Sequence, residues 1–221
     1  MNKKLINWIG LAGILSFISY LAATIFAPMA FPGYDWMSQA VSDLSAETAP
    51  SRVLWERIAA FYNVGSIVCI TCVSVFLSEH KVGTKLFRAG VYLYNIMELV
   101  SCVGYKMFPL ADAGKEISSF QEIMHMAITA AVVLFSIASL IVLIVAGVKD
   151  KRVRNIGAIA AVALGMMFVG AIGTAAVQNG AIPQSCFGIV ERFSLFSAVG
   201  FNAVLGLFLF GGFKKASAEA C

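Results

Sequence analysis

The stretch Glu122–Val148, EIMHMAITAAVVLFSIASLIVLIVAGV, decides the class of this protein, because after Glu122 no Asp, Glu, Lys or Arg appears until Lys149. As a helix it would rise about 40 Å at 1.5 Å per residue, enough to cross a hydrocarbon core of about 30 Å. Working outward, five more windows read the same way: Leu5 to Ala27, Leu54 to Ser78, Phe87 to Lys106, Ile156 to Val177 and Gly188 to Gly212. The chain of 221 residues is 60% hydrophobic and 13% charged, with a mean hydropathy of +0.86, whereas a soluble domain is about 25% charged. Backbone amides cannot stay unpaired in lipid, so the windows must be helices. The expectation is an all-α polytopic membrane protein, a single domain over residues 1–221 with six transmembrane helices.

The first window follows Lys3 and Lys4 and so has the flank of a signal peptide, but a signal h-region spans only about 7 to 15 residues. Its length, with Trp8 and Tyr20 inside it, predicts a retained first helix. Lys3, Lys4, Lys81, Lys85, Arg88, Lys149, Lys151, Arg152, Arg154, Lys214 and Lys215 fall on one side of the membrane. Arg52, Arg57, Lys106, Lys115 and Arg192 fall on the other. The positive-inside rule then predicts cytoplasmic N- and C-termini. The opposite, outer side collects Asp35, Asp43, Glu47, Glu56, Asp112, Glu116, Glu122 and Glu191. The formal net charge of +4 is therefore read as topology, with no nucleic-acid partner expected.

The longest polar passage, GYDWMSQAVSDLSAETAPSRVLWER over Gly33–Arg57, is the first outer loop. Met37, Val41 and Leu44 recur at helical spacing, which predicts a short amphipathic helix on the outer surface anchored by Trp36. Ser38, Ser42 and Asp43 would line its polar side. Ser51 or Thr48 is expected to cap the second span, which carries Asn63. Cys69 and Cys72 in that span form Cys-x-x-Cys, but they lie mid-membrane with no His nearby and read as small hydrophobes. Among the other cysteines only Cys102 and Cys186, both toward the outer side, could meet, and the sequence leaves that pairing open.

Glu98 near the middle of the third span is the most informative single residue. An acidic group there costs roughly 2.5 to 3.5 kcal/mol on insertion scales, so it marks a helix–helix partner, a pathway or a site. Tyr94, Ser101, Cys102 and Tyr105 share its helical face. Ser119 with Glu122 matches a capping box. His125, one turn deeper, is either a hydrogen-bonded structural histidine or a general acid or base. Gly157, Ala161, Gly165, Gly170, Gly173 and Ala176 make the fifth span a close-packing scaffold. Arg192 opens the sixth with Glu191. Asn63 and Glu98 lie about 13 Å below the outer ends of their helices, and His125 and Arg192 about 5 to 8 Å below theirs. Those heights are compatible with one cavity. No metal site is expected, since His125 is the only His outside the inner loops, and no cofactor.

Ser42-Asp43-Leu44 after the first span, Ala49-Pro50 before the second, Phe108-Pro109 with Asp112 ahead of the fourth, His125 within it and Glu191-Arg192 opening the sixth together resemble the multi-pass proteins grouped as domain of unknown function 998. The resemblance covers nearly the whole chain, with Ser45 where that pattern has Gly. A looser similarity links Ser42-Asp43 and His125 to the Frag/DRAM/Sfk group of six-helix membrane proteins, some associated with lipid remodelling. The resemblance implies the six-helix fold and no settled reaction.

Three functions follow as expectations. The leading one is a protein of the plasma membrane, partnered by membrane lipids, that binds a lipid or other amphipathic small molecule in an outward-facing polar pocket; Asn63, Glu98, Tyr105, His125 and Arg192 would be its ligand-binding residues. The second is a lipid hydrolase or acyltransferase with Ser42 or Ser38 as nucleophile, His125 as base and Asp43 or Asp112 as orienting acid. The third is proton- or ion-coupled transport through Glu98, for which the inner half offers few polar residues. Oligomeric state is left open.

Overall fold

The structure is a computed structural model that describes residues 4–112 and 119–213. Lys3, Lys115, Glu116, Lys214, Lys215 and Cys221, used above for charge and cysteine patterns, lie outside the described residues. The helices are α1 (Leu5–Ile9), α2 (Leu11–Phe26), α3 (Arg52–Ile58), α4 (Ala60–Glu79), α5 (Lys85–Met107), α6 (Phe120–Lys149), α7 (Arg154–Gln178) and α8 (Phe187–Phe210). They make six stretches long and apolar enough to cross a membrane: α1 with α2, α3 with α4, and α5 to α8 singly. The fold is helical throughout, with no strand among the described residues.

The spans pack in chain order around a ring, with α8 returning to α2 and also touching α4. One end of the bundle carries the loop from Phe31 to Ser51; the other carries residues 4 and 213. These are the long-loop end and the termini end. Leu15, Ile18, Leu134, Val162, Val169 and Ile172 are exposed on the perimeter, the distribution that lipid rather than water solvates. Toward the termini end the interior is closed by Ile70, Leu77, Phe87, Leu143, Ile156 and Leu209, all essentially inaccessible.

Two close approaches explain where small residues fall. A Cβ added at Gly10 would lie 2.3 Å from the Gly206 carbonyl, and one at Gly206 would lie 2.3 Å from the Gly10 carbonyl, so α1–α2 meets α8 backbone to backbone. The buried Cys69 thiol sits beside this contact, 3.8 Å from the Gly10 carbonyl oxygen, as a space-filling group. Gly147 and Gly157 likewise bring α6 and α7 together, each 2.8 Å from where the other's Cβ would reach. At the start of α6 the capping box forms: Glu122 N donates to Ser119 Oγ at 3.2 Å and Ser119 N donates to Glu122 Oε2 at 2.9 Å. At the termini end Asp150 accepts from Arg152 N and Nε at 3.0 Å each, and these bonds hold its carboxyl below the usual carboxylate range.

The long loop departs from expectation. Trp36 to Leu44 forms turns and a single 3-10 turn, Ser42–Ser45, instead of an amphipathic α-helix. Tertiary partners take the backbone groups that a helix would use internally. Arg192 occupies the carbonyls of Trp36 and Gln39, Ile189 N bonds the Met37 carbonyl, and Glu191 accepts from Val41 N. Val41 and Leu44 are buried as expected, while Trp36 and Met37 remain exposed. The expected cap is also replaced. Ser51 precedes α3 without capping it and donates to the Leu44 carbonyl at 2.8 Å, and Thr48 turns to the second loop, donating to Asp112 Oδ1 at 2.6 Å. Glu47 N bonds the Leu110 carbonyl at 2.8 Å, so the two loops of this end are tied together.

Candidate functional site

Four of the five residues predicted to converge are separated among three places, and a fourth place, a cleft, takes Asn63. The first is the junction of the long loop with α8. Arg192, 8% exposed, donates through Nη1 to Trp36 O at 2.7 Å, Gly188 O at 2.7 Å and Gln39 O at 3.3 Å. Its Nη2 donates to the Tyr34 hydroxyl at 2.9 Å, and the guanidinium lies 5.9 Å from the Trp36 ring centroid. A Cβ at Gly188 would fall 2.4 Å from both the Trp36 and Gln39 carbonyls, so only glycine lets the loop sit this close. Burial raises the Tyr34 phenol above its ordinary value, with Arg192 opposing. Glu191 Oε2 accepts from Val41 N at 2.8 Å and lies within electrostatic reach of Asp43, Tyr20 and Tyr105. Asp43 itself is buried and accepts from Ala40 N at 3.2 Å.

The second place is the start of α6. His125 Nδ1 lies 3.0 Å from the Phe108 carbonyl oxygen, which can only accept, so Nδ1 carries the proton. Its ring packs on Tyr105 at 5.0 Å, and Tyr105 donates to Thr129 Oγ1 at 3.0 Å. Among the described residues no hydrogen bond joins His125 to a serine or a carboxylate. Ser38 donates to Asp35 Oδ2 at 2.6 Å, a bond that with Met37 N holds Asp35 below its ordinary value. Ser42 is half-buried in the 3-10 turn, and Asp112 accepts from Thr48. The catalytic set expected from the sequence is thus not assembled by hydrogen bonds in the described residues.

The third place is the interior where α4, α5 and α8 meet. Glu98 is 2% exposed and accepts from Ser66 Oγ at 2.7 Å and from the Cys102 thiol at 3.9 Å. Asn202 Nδ2 donates to the Ser66 carbonyl at 3.2 Å and to Ser66 Oγ, and Tyr94 donates to the Ala198 carbonyl. Tyr94 and Cys102 are the helical-face neighbours expected of Glu98, whereas Tyr105 bonds to α6. Ser66 had no signal beyond being a polar residue in an apolar run, three residues after Asn63. No ammonium, guanidinium or imidazole bonds Glu98 among the described residues; neutral donors bond it, and through Ser66 the network reaches α8 as well as α4 and α5.

The cleft lies between α4 and α5. Asn63, Val64 and Ile67 form one wall and Cys102, Val103, Lys106 and Met107 the other, bordering an open groove of about 300 Å³. Val64, Val103 and Met107 are exposed, so it opens sideways on the bundle perimeter in the half nearer the long loop. Cys102 connects it to the interior, since the thiol that lines the cleft also bonds Glu98. Cys69, Cys72, Cys102 and Cys186 are all free thiols, and no group of three or more metal-ligating side chains occurs among the described residues.

No curated protein and no solved structure matches this chain. A family model does match, over residues 14–208, and that span includes the loop latch, the Glu98 cluster and both walls of the cleft. With six spans and most of its length matched, the chain belongs to the family described as protein of unknown function (DUF998).

Proposed function

We propose that the protein holds a lipid or other amphipathic small molecule in the half of its bundle nearer the long loop, and that this half faces the outside of the plasma membrane. The observation that carries the reading is the lateral cleft between α4 and α5, with apolar Val64, Ile67 and Val103 along it and polar Asn63 and Lys106 at its edge. Mostly apolar walls with a few polar groups suit an amphipathic ligand, and an opening on the perimeter admits one directly from the bilayer. The excess of Lys and Arg in the connections of the other end supports the orientation. A hydrolase would instead need a serine hydroxyl about 3 Å from a nitrogen of His125, and Ser38 is already engaged by Asp35. Transport through Glu98 would need a polar continuation where Ile70, Leu77 and Leu143 pack.

The test fills the cleft. Native mass spectrometry of protein extracted from membranes is expected to detect retained lipid on the wild type and to lose it on Val103→Trp, whose indole would occupy the space. Equal retention by a folded Val103→Trp variant would remove the cleft as the binding place.

A further inference from the structure

We propose that Glu98, Asn202, Ser66 and Tyr94 form a binding site for a sodium ion in the bundle interior, where α4, α5 and α8 meet. The site stands apart from the α4–α5 cleft and does not depend on what fills it.

Every hydrogen that these side chains and Cys102 can donate is already committed. The Tyr94 hydroxyl donates to the Ala198 carbonyl. The Ser66 hydroxyl and the Cys102 thiol both donate to Glu98 Oε2, and Asn202 Nδ2 donates to the Ser66 carbonyl and to Ser66 Oγ. Lone pairs are what remain. Asn202 Oδ1 is buried without a hydrogen-bond donor, and none reaches Glu98 Oε1 among the described residues. The Tyr94 hydroxyl and the Asn202 amide stand within electrostatic reach of the Glu98 carboxyl, so these oxygens share one place. Turning the Asn202 amide over would set Oδ1 against the Ser66 carbonyl, acceptor against acceptor.

Glu98, Asn202, Ser66 and Tyr94 are each 2% exposed or less. A carboxylate so placed needs a positive charge beside it, and no Lys, Arg or His supplies one among the described residues. A cation against Glu98 Oε1 and Asn202 Oδ1 provides that charge and engages both unpartnered oxygens at once. Hard cations take oxygen ligands, and carboxylate, amide and hydroxyl oxygens are what the cluster offers. One carboxylate makes the site neutral with a monovalent ion, whereas a divalent ion would leave buried positive charge uncompensated. One turn along α8 the packing against α1–α2 leaves no room for a Cβ at Gly206, and such close packing favours sodium over the larger potassium. The ion enters from the long-loop half, where Tyr62, Tyr105 and Glu191 are only partly buried. Toward the termini Ile70, Leu77 and Leu143 close the way, so it is held and not passed through.

The experiment measures binding of radiolabelled sodium to the full chain in detergent at alkaline pH, with choline chloride holding the ionic strength constant. The wild type is expected to bind one ion per chain, with potassium displacing it less well than unlabelled sodium. Its thermal unfolding midpoint is expected to rise with sodium concentration, as binding to the native state requires. Glu98→Gln, which keeps the shape and removes the opposite charge, is expected to weaken binding by more than about a hundredfold. Asn202→Leu, which removes one oxygen ligand, is expected to weaken it about tenfold. No saturable sodium binding by the wild type would overturn the inference whether or not the variants fold, and would leave a proton on Glu98 shared with Asn202 Oδ1. Undiminished binding by folded Glu98→Gln would overturn it as well.

Discussion

Ser66 on α4 donates its hydroxyl to Oε2 of Glu98 on α5 at 2.7 Å, and the amide of Asn202 on α8 bonds the same serine. One hydroxyl thus ties together three helices around a carboxyl that is 2% exposed. Removing a partner from a buried polar group costs its desolvation, about 1 to 3 kcal/mol. Ser66→Ala is expected to lower the midpoint of thermal unfolding in detergent accordingly, and Glu98→Gln, which keeps shape and hydrogen bonding, to cost less than Glu98→Ala. Equal losses for Gln and Ala would mean that the hydrogen bonds contribute nothing.

The latch on the long loop gives a local prediction. Arg192→Ala would strip the carbonyls of Trp36 and Gln39 and the Tyr34 hydroxyl of their shared donor. Hydrogen bonds to charged groups are worth about 1.5 to 3 kcal/mol each. Amide exchange is expected to accelerate across Tyr34 to Leu44 while the middle of α4 and α5 stays protected. Lys at this position would rescue only partly, because a single ammonium lacks the planar fork that reaches both the loop carbonyls and the phenol.

Acid should loosen the same loop at its tip. Asp35 is held below its ordinary value by the Ser38 hydroxyl and Met37 N, so its folded pKa is depressed relative to about 3.9 in the unfolded chain. Its contribution is present above that unfolded value and is lost as pH falls through the folded one. Exchange at Met37, whose N–H bonds Asp35 Oδ1 at 3.0 Å, is expected to show an extra increase on acidification that Asp35→Asn lacks. The same acid limb in the Asn variant would assign it elsewhere.

Two glycines should respond oppositely to alanine. Gly206→Ala drives a Cβ into the Gly10 carbonyl at 2.3 Å, where backbone must move, and overpacking of this kind costs about 1 to 3 kcal/mol. Gly165 on α7 has nothing within 4 Å of such a Cβ, so Gly165→Ala is expected to be neutral or to stabilise by up to about 1 kcal/mol. Thermal unfolding of the pair checks whether α1–α2 and α8 really meet through backbone.

Local patterns were legible where local chemistry decides the outcome. Six apolar windows became six spans because length and hydropathy leave a helix no alternative in lipid, and the Ser119–Glu122 box needs only residues three apart. Glu98 was legible as an acid that needs a partner, a pathway or a site, and of the four face neighbours read with it, Tyr94, Ser101, Cys102 and Tyr105, the Cys102 thiol bonds it. The Trp36–Leu44 helix was not, because its apolar spacing predicts an amphipathic surface helix but says nothing of Glu191 and Arg192, whose side chains take up the backbone groups that the helix would have used. The single cavity is a different matter. Depth along a helix follows from residue count, but the direction around its axis depends on packing, which turned Asn63 to the perimeter cleft and Glu98 to the interior.

The bond from Val41 N to Glu191 spans 150 residues of chain, and the one from Arg192 to Tyr34 spans 158. During synthesis the first long loop leaves the ribosome well before α8 exists, and until then it has only its local bonds, such as Ser38 to Asp35 and Ser51 to Leu44, to order it. Its bonds to Glu191 and Arg192 form only once the sixth span is inserted beside the first. The loop that is made first is therefore finished last, and a chain truncated before Glu191 would present an unlatched loop to whatever surveys incomplete membrane proteins.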